Sequence, residues 1–353
     1  MKMKSLLLIP ILCFALYSCD DSEIDTVELP PKTSDTPVEN YHYNLPVIFH
    51  VLYQNQSDPL QYVSQNRLSA ILDAVNNDYK NTSTSVDMNL TFTLATTNPD
   101  SKQLTTPGVE YVKWTEPYPI DCDKFMSDNS GKYVKLLWEP NKYINVMIYN
   151  FASDPNSGTV TLGISHLPYS TTGSTFLEGL TAVSNTYLEL KNLKYPYSVS
   201  INSLFINEQS VGNGYTPEDI TVTLSHELGH YLGLHHVFSE SDNGIMDDCE
   251  DTDYCKDTPS YNKVEYDAWL NSLEGKYQLS YLAQRNNCQG AKFTSTNFMD
   301  YAYSYSNEFT ADQRTRIRHV LNYSPLIPGP KKETANTRTV PEGAVDLPIR
   351  IIR

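Results

Sequence analysis

Apolar and polar positions alternate along this chain with two different periods, and the change of period marks out its elements. Positions 46–53 (PVIFHVLY) form a near-continuous apolar run of β-branched and aromatic residues, which predicts a central strand. Ser64 is placed to cap a helix whose apolar residues Leu68, Ile71, Leu72, Val75 and Tyr79 repeat on one 3.6-residue face. Positions 89–95 (NLTFTLA) alternate as a half-buried strand does, and 143–151 (YINVMIYNF) predict another strong strand. Strand, helix, strand in that order implies a mixed sheet with a right-handed crossover. Between 153 and 215 the chain is rich in Gly, Ser, Asn and Tyr, with short strand-like pieces at 180–184 and 203–206. Regular structure is then sparse from 240 until a closing helix over 311–321, and beyond Pro328 an extended tail is expected.

The ends read differently from the middle. Lys2 and Lys4 precede an apolar stretch from Leu6 to Leu16, the pattern of a secretory signal over residues 1–18. Cys19 after Ser18 resembles the lipidated first residue of a mature bacterial lipoprotein. The alternative is an ordinary signal in which Cys19 is incidental. Residues 19–43, acidic and carrying Pro30, Pro31 and Pro37, read as a flexible tether. The chain is then expected to be exported and membrane-anchored, at the outer membrane or cell surface, with the lipid as its only membrane contact.

Composition narrows the function classes. The 353 residues carry 26 Lys+Arg against 42 Asp+Glu, a net charge of −16. Losing residues 1–18 removes two lysines and no acid. So acidic a chain is a poor nucleic-acid partner, because phosphate contacts need clustered cations. Discounting Cys13 and Cys19 leaves Cys122, Cys249, Cys255 and Cys288, which in an exported chain predict two disulfides in one of three connectivities. Cys249 and Cys255, in a loop with little apolar content, are each expected to be engaged.

Candidate chemistry lies in one segment. Thr216-Pro217-Glu218-Asp219 offers a capping residue, a proline for the first helical position and a first-turn acid. The helix it opens contains His226-Glu227-Leu228-Gly229-His230, whose two histidines, four apart, share one face and can reach a single ion. Glu227 is placed to act on a water as general base. Gly233 permits a left-handed turn, so the chain can double back and bring in His236. Three histidines leave one position of a tetrahedral zinc open, as a catalytic site requires. His235 is the competing ligand, which the spacing makes a bystander. Chance would place the full HExxHxxGxxH pattern about 10⁻⁵ times per sequence.

With these residues the chain resembles the metzincins, and within them the pappalysin/cytophagalysin (ulilysin-like) group. Asn297-Phe298-Met299-Asp300-Tyr301 looks like the methionine turn of that family. His236-Val237-Phe238, Asp257-Thr258-Pro259 and Phe309-Thr310-Ala311-Asp312-Gln313 add to the likeness, which spans roughly residues 44–322. The resemblance implies an α+β zincin: a twisted mixed sheet with an active-site helix, then an irregular C-terminal subdomain with Met-turn and closing helix. The catalytic domain would cover 44–325, dividing near 233/234, with 326–353 as a tail. It also implies Met299 as floor of the zinc site, Tyr301 as hydrogen-bond donor to the oxyanion, and one catalytic zinc on His226, His230 and His236. Clustered acids (Asp247, Asp248, Asp251, Asp253, Asp257) form a candidate calcium loop, as relatives use calcium near this region, or else are simply solvated. The function implied is a monomeric zinc endopeptidase acting on protein or peptide substrates with Glu227 as general base and acid. The alternatives are a non-catalytic zinc-binding adhesion lipoprotein and a zinc hydrolase of non-protein amides. Ala302-Tyr303-Ser304-Tyr305-Ser306 holds no acid, so the preference of some relatives for a basic residue just after the cleaved bond is not carried over. A cysteine-switch propeptide is not expected either, since the tether's sole cysteine is Cys19.

Overall fold

The computed structural model describes residues 26–28, 40–80, 82–153, 160–212, 214–332 and 339–353. The signal at 1–18, Cys19 and most of the tether lie outside the described residues.

The central sheet has seven strands. Its spine is Tyr43–Tyr53, eleven residues long and buried nearly throughout. One edge of this strand pairs first with Leu90–Leu94 and further along with Val109–Lys113; the other pairs with Ile144–Tyr149, all parallel. Val199–Asn202 follows in parallel, then Gly163–His166 and finally Ile351–Ile352, both antiparallel to their neighbours. Parallel strands are covered on both faces, and this is why 46–53 and 144–149 read as continuous apolar runs.

The helix Gln65–Asp78 is capped by Ser64, which accepts from the Arg67 amide. It buries Leu68, Ile71, Leu72 and Val75 and packs against a second helix, Ile220–Tyr231. That second helix lies on Gly163–His166 and Val199–Asn202, and all its residues but Val222 are buried. Tyr79 donates to the Ser225 carbonyl at 2.8 Å, and Ser225 donates to Asp78 at 2.6 Å, so the two helices are cross-tied through polar groups.

Several expectations are corrected. The cap of Ile220–Tyr231 is Asp219, not Thr216: its carboxylate accepts from the amides of Thr221 and Val222, while Thr216 only closes the preceding turn. Positions 203–206 are not a strand, because Asn202 accepts from the Leu204 amide and turns the chain into a 3-10 helix, Ser203–Phe205. After 240 a helix Lys263–Asn271 and a hairpin of Gln284–Asn286 with Lys292–Thr294 appear. The tether does not stay free up to residue 43, since Tyr43 is fully buried in the sheet and donates to Asn322. Nor do the described residues of 326–353 form a free extended tail. Leu326 and Ile327 are fully buried and Leu347 is nearly so.

Among the described residues one disulfide forms, Cys249–Cys288, where two were expected. Closing a loop across a separation of 39 residues restricts the unfolded chain by about 4 kcal/mol on the loop-entropy account. Cys122 and Cys255 are free and buried in different places. Cys122 begins the short helix Cys122–Met126 in the main core. Cys255 lies by Asp253 and Arg316. Burial pushes the Cys122 thiol up to about 12 and Cys255 higher still, so neither is a reactive thiolate.

Candidate metal centre

His226 and His230 project from the buried helix one turn apart. Gly233 (φ +94°) then ends the helix, and a Cβ there would meet Val320 at 2.7 Å, so both backbone and space call for glycine. The Leu234 amide returns to the Gly229 carbonyl, and the reversed chain carries His236 back to the other two. Their Nε2 atoms lie 2.9 Å apart between His230 and His226 and 3.1 Å from each of these to His236.

The far side of each ring decides what those short distances mean. Each Nδ1 faces an acceptor: the Phe298 carbonyl for His226 (2.7 Å), the Leu234 carbonyl for His230 (2.8 Å) and a Glu240 carboxylate oxygen for His236 (2.7 Å). Each Nδ1 is therefore placed to donate its proton outward, which leaves each Nε2 turned towards the other two as the ligand atom. Burial, then the charge of His236, brings His226 down to about 3; burial holds His230 well below the ordinary histidine range. Three ring nitrogens converging at this distance suit a cation held among them. The triangle fits one ion held at about 2.0–2.1 Å by three nitrogens to within a few tenths of an ångström.

Glu227 lies between the two helical histidines in sequence and is 3% exposed. Its side chain lies against Gly163 of the neighbouring strand, where a Cβ would come within 2.5–2.8 Å of it. Its Oε2 is buried with no hydrogen-bond partner, and burial pushes the carboxyl well above its ordinary range. An isolated carboxyl in such a place is poised to hold a proton.

Beneath the histidines runs 297–301. Asn297 and Gln313 exchange hydrogen bonds at 2.9 and 3.0 Å, pinning the turn to the closing helix Ala311–Tyr323. Phe298 supplies the carbonyl that holds His226. Met299 is fully buried, and a side chain at Gly229 would meet its sulfur at 2.6 Å. Asp300 accepts from Tyr261 at 2.6 Å and lies 3.5 Å from Arg285, both ions fully buried. The Tyr301 ring stands 4.7 Å from that of His236 and 6.0 Å from that of His226. Burial, then the nearby acids Glu240 and Glu227, push its hydroxyl up, so it stays a protonated donor, and it donates to a main-chain oxygen of Arg353.

The structure thus brings together His226, Glu227, His230, His236, Met299 and Tyr301. His235 turns away, to the Gly179 carbonyl at 3.1 Å. The five candidate calcium residues do not converge. Asp247 accepts from Asn262, Asp248 from the Cys249 amide, and Asp257 from the Asp312 amide. Asp253 accepts from the Cys255 amide and Thr258, with Asp251 beside it. Asp247, Asp248 and Asp257 have separate donors, and only Asp251 and Asp253 adjoin. Among the described residues the histidine triad is the one group of three or more His, Cys, Asp or Glu ligand atoms close enough to hold an ion.

Three participants escaped the sequence reading. Glu240 accepts from both the backbone and the ring of His236 at 3.2 and 2.7 Å. Burial works against its charge, but His236 and His235 outweigh this and hold the carboxyl far below its ordinary range. Its place four residues after His236 was the available signal. Gly163 and Arg353 had none, since both reach the site only through sheet pairing.

Comparison with known proteins agrees with this geometry. Residues 194–322 match the Peptidase M43 family model, described as pregnancy-associated plasma protein-A. Extracellular metalloproteases of Arthroderma otae and Arthroderma benhamiae are 39% and 37% identical over 97 residues, 27% of this chain and 29% of theirs. The match thus spans under a third of the length of these curated relatives. Tannerella forsythia mature mirolysin with a cleaved peptide aligns over 78% of this chain and 90% of its own, at 22% identity and TM-score 0.51. A promirolysin mutant from the same organism gives 21% and 0.51, covering 79% of this chain and 80% of its own. The fold is shared with mirolysin, and the match to the Peptidase M43 model lies over residues 194–322.

Proposed function

We propose that this chain, with a pappalysin-type segment on a metzincin fold, is a zinc-dependent endopeptidase. One observation carries the reading: three buried imidazoles, each fixed by its Nδ1 proton, converge their Nε2 atoms beside a carboxyl with an unpartnered oxygen. His226, His230 and His236 would hold the metal, and three imidazole nitrogens without a thiolate or carboxylate ligand suit zinc. When bound, zinc supplies a Lewis acid that polarises a carbonyl and makes water nucleophilic at neutral pH.

The chain's own groups do the rest. Glu227 takes the proton from the attacking water, holds it in a pocket where the neutral carboxyl is favoured, and delivers it to the leaving amine. Tyr301 donates to the oxygen on which charge develops; its present bond to a main-chain oxygen of Arg353 supports that role. Glu240, Phe298 and Leu234 keep the three rings in register. Met299 fills the space under the helix. A purely structural site would leave the orphaned Glu227 carboxyl without a task, which disfavours the adhesion-protein reading.

The matched Arthroderma relatives are extracellular metalloproteases, which supports export. Lys2, Lys4 and the apolar Leu6 to Leu16 support a leader with Cys19 as its lipidation site. No helix among the described residues is long and apolar enough to cross a membrane. Calcium remains a second-metal proposal, supported by the contact of Asp251 with the buried Asp253.

The test is a cleavage profile of the zinc-loaded protein on a mixed peptide library, with and without chelator, beside Glu227→Ala. Activity should fall by several orders of magnitude in the variant while zinc content and fold persist. A variant as active as the parent would overturn the assignment.

A further inference from the structure

Without residues 351–352, Gly163–His166 would be the outermost strand of the sheet. A bare edge presents unpaired N–H and C=O groups and accepts an extended peptide as an added strand. This edge also leads to the chemistry, since Gly163 touches Glu227. What covers it is the chain's own C-terminal segment. Ile351 lies opposite His166 and Ile352 opposite Ser165, antiparallel, and the Leu167 amide donates to the Arg350 carbonyl at 3.0 Å.

The next residue reaches the site. The Tyr301 hydroxyl, placed to meet a scissile carbonyl, donates to the main-chain oxygen of Arg353, which in this chain belongs to its α-carboxylate. Its guanidinium lies 2.6 and 2.7 Å from the two carboxylate oxygens of Asp123. Arg350 pairs with Asp242 and donates to the Gly179 carbonyl. Behind this reach lies an anchor. Asn192 donates to the carbonyls of Pro341 and Gly343 and accepts from the Val345 amide. Leu347 is 5% exposed, and Tyr169 donates to the Pro348 carbonyl.

We propose that residues 349–353 are a built-in, substrate-like ligand of the cleft. They keep it closed to other peptides until displaced, and the peptides that compete carry a basic side chain at the place of Arg353, where Asp123 meets it. The inhibitory consequence rests on the endopeptidase reading; the seating of the segment does not. A tethered segment acts at an effective concentration of order mM. If the free pentapeptide binds at about 100 µM, the tether weakens a competitor about tenfold. Arg353 and Asp123 are both more than half exposed, so their pair adds a few-fold preference rather than decades.

The test compares the full chain with one ending at Pro348, which keeps Leu347 and the Asn192 contacts. Both carry Glu227→Ala, and the probe is fluorescein-labelled Ile-Arg-Ile-Ile-Arg read by anisotropy. The shortened chain should bind the probe at least tenfold tighter than the full one. A probe ending in Ala should bind two- to fivefold more weakly. Amide exchange at 163–166 should rise on shortening and fall again with added probe. With Glu227 intact, shortening should lower KM for a peptide substrate about tenfold at unchanged kcat. Should the shortened chain fail to fold, Ile352→Pro in the full chain serves instead. Antiparallel alternation puts Ile352 in a hydrogen-bonded pair with Ser165, and proline removes that donor. Equal probe binding by full and shortened (or Ile352→Pro) folded chains, or none by either, overturns the proposal even if both cleave peptides. Tight probe binding by the shortened chain with no cleavage by either Glu227-containing form keeps the seating and overturns the endopeptidase reading.

Discussion

Glu240→Ala should weaken zinc binding 10- to 100-fold while leaving the fold intact. In the native protein the Glu240 side chain is 11% exposed and takes two donors from one residue, the His236 ring at 2.7 Å and the His236 amide at 3.2 Å. Alanine leaves a buried Nδ1–H without an acceptor. That costs about 1–3 kcal/mol and frees the imidazole to change tautomer or rotate. Losing the outer partner of a ligating histidine typically costs 10- to 100-fold in metal affinity, about 1.4–2.8 kcal/mol, so two independent estimates agree. Glu240→Gln, which retains an acceptor oxygen but not the charge, should fall between parent and alanine variant. Competition against a chromophoric zinc chelator at neutral pH measures all three, with near-UV circular dichroism as the control for folding. A folded alanine variant whose zinc affinity stays within twofold of the parent would refute the claim that Glu240 sets the third ligand.

Two further outcomes follow from buried charge. His166 accepts from the Ser198 amide on Nδ1 and donates to the Met126 carbonyl from Nε2, and burial lowers its pKa to about 4. Its contribution should be complete above pH 6.5, where the unfolded histidine is neutral too, and be lost as the pH falls towards 4. The amount is about 3 kcal/mol. Urea melts at pH 7 and pH 4.5 should show a shallower acid loss in His166→Gln, and equal losses would count against the assignment. At Asp253, burial and Asp251 hold the carboxyl well above its ordinary range, so a calcium ion there should raise the melting temperature. A chelator that removes calcium but not zinc should lower Tm; an unchanged Tm would leave the loop without a second metal.

What could be read in advance shares one property: its physics is local. The apolar run at 46–53, the Ser64 cap and the 3.6-residue face of Gln65–Asp78 each depend on neighbours within a few positions. So do the two helical histidines and the positive φ of Gly233. Local reading failed where two candidates compete at short range. Thr216 and Asp219 both suit a cap, and only the donors around Asp219, including the Ser210 amide, select it. It failed again at 203–206, where the Asn202 side chain overrides strand propensity.

The sequence alone determined the metal-binding chemistry, because three ligands, a base and a turn glycine lie within eleven residues of one helix and its reversal. Only tertiary structure decided which acid serves His236, which cysteines join, and what covers the edge beside Glu227. Cys249 meets Cys288 across 39 residues, and His166 meets Ile351 across the whole C-terminal half. Such pairings depend on how the sheet and the irregular subdomain pack. No periodicity encodes them, and the same packing turns a tail that reads as a solvated extension into an occupant of the cleft.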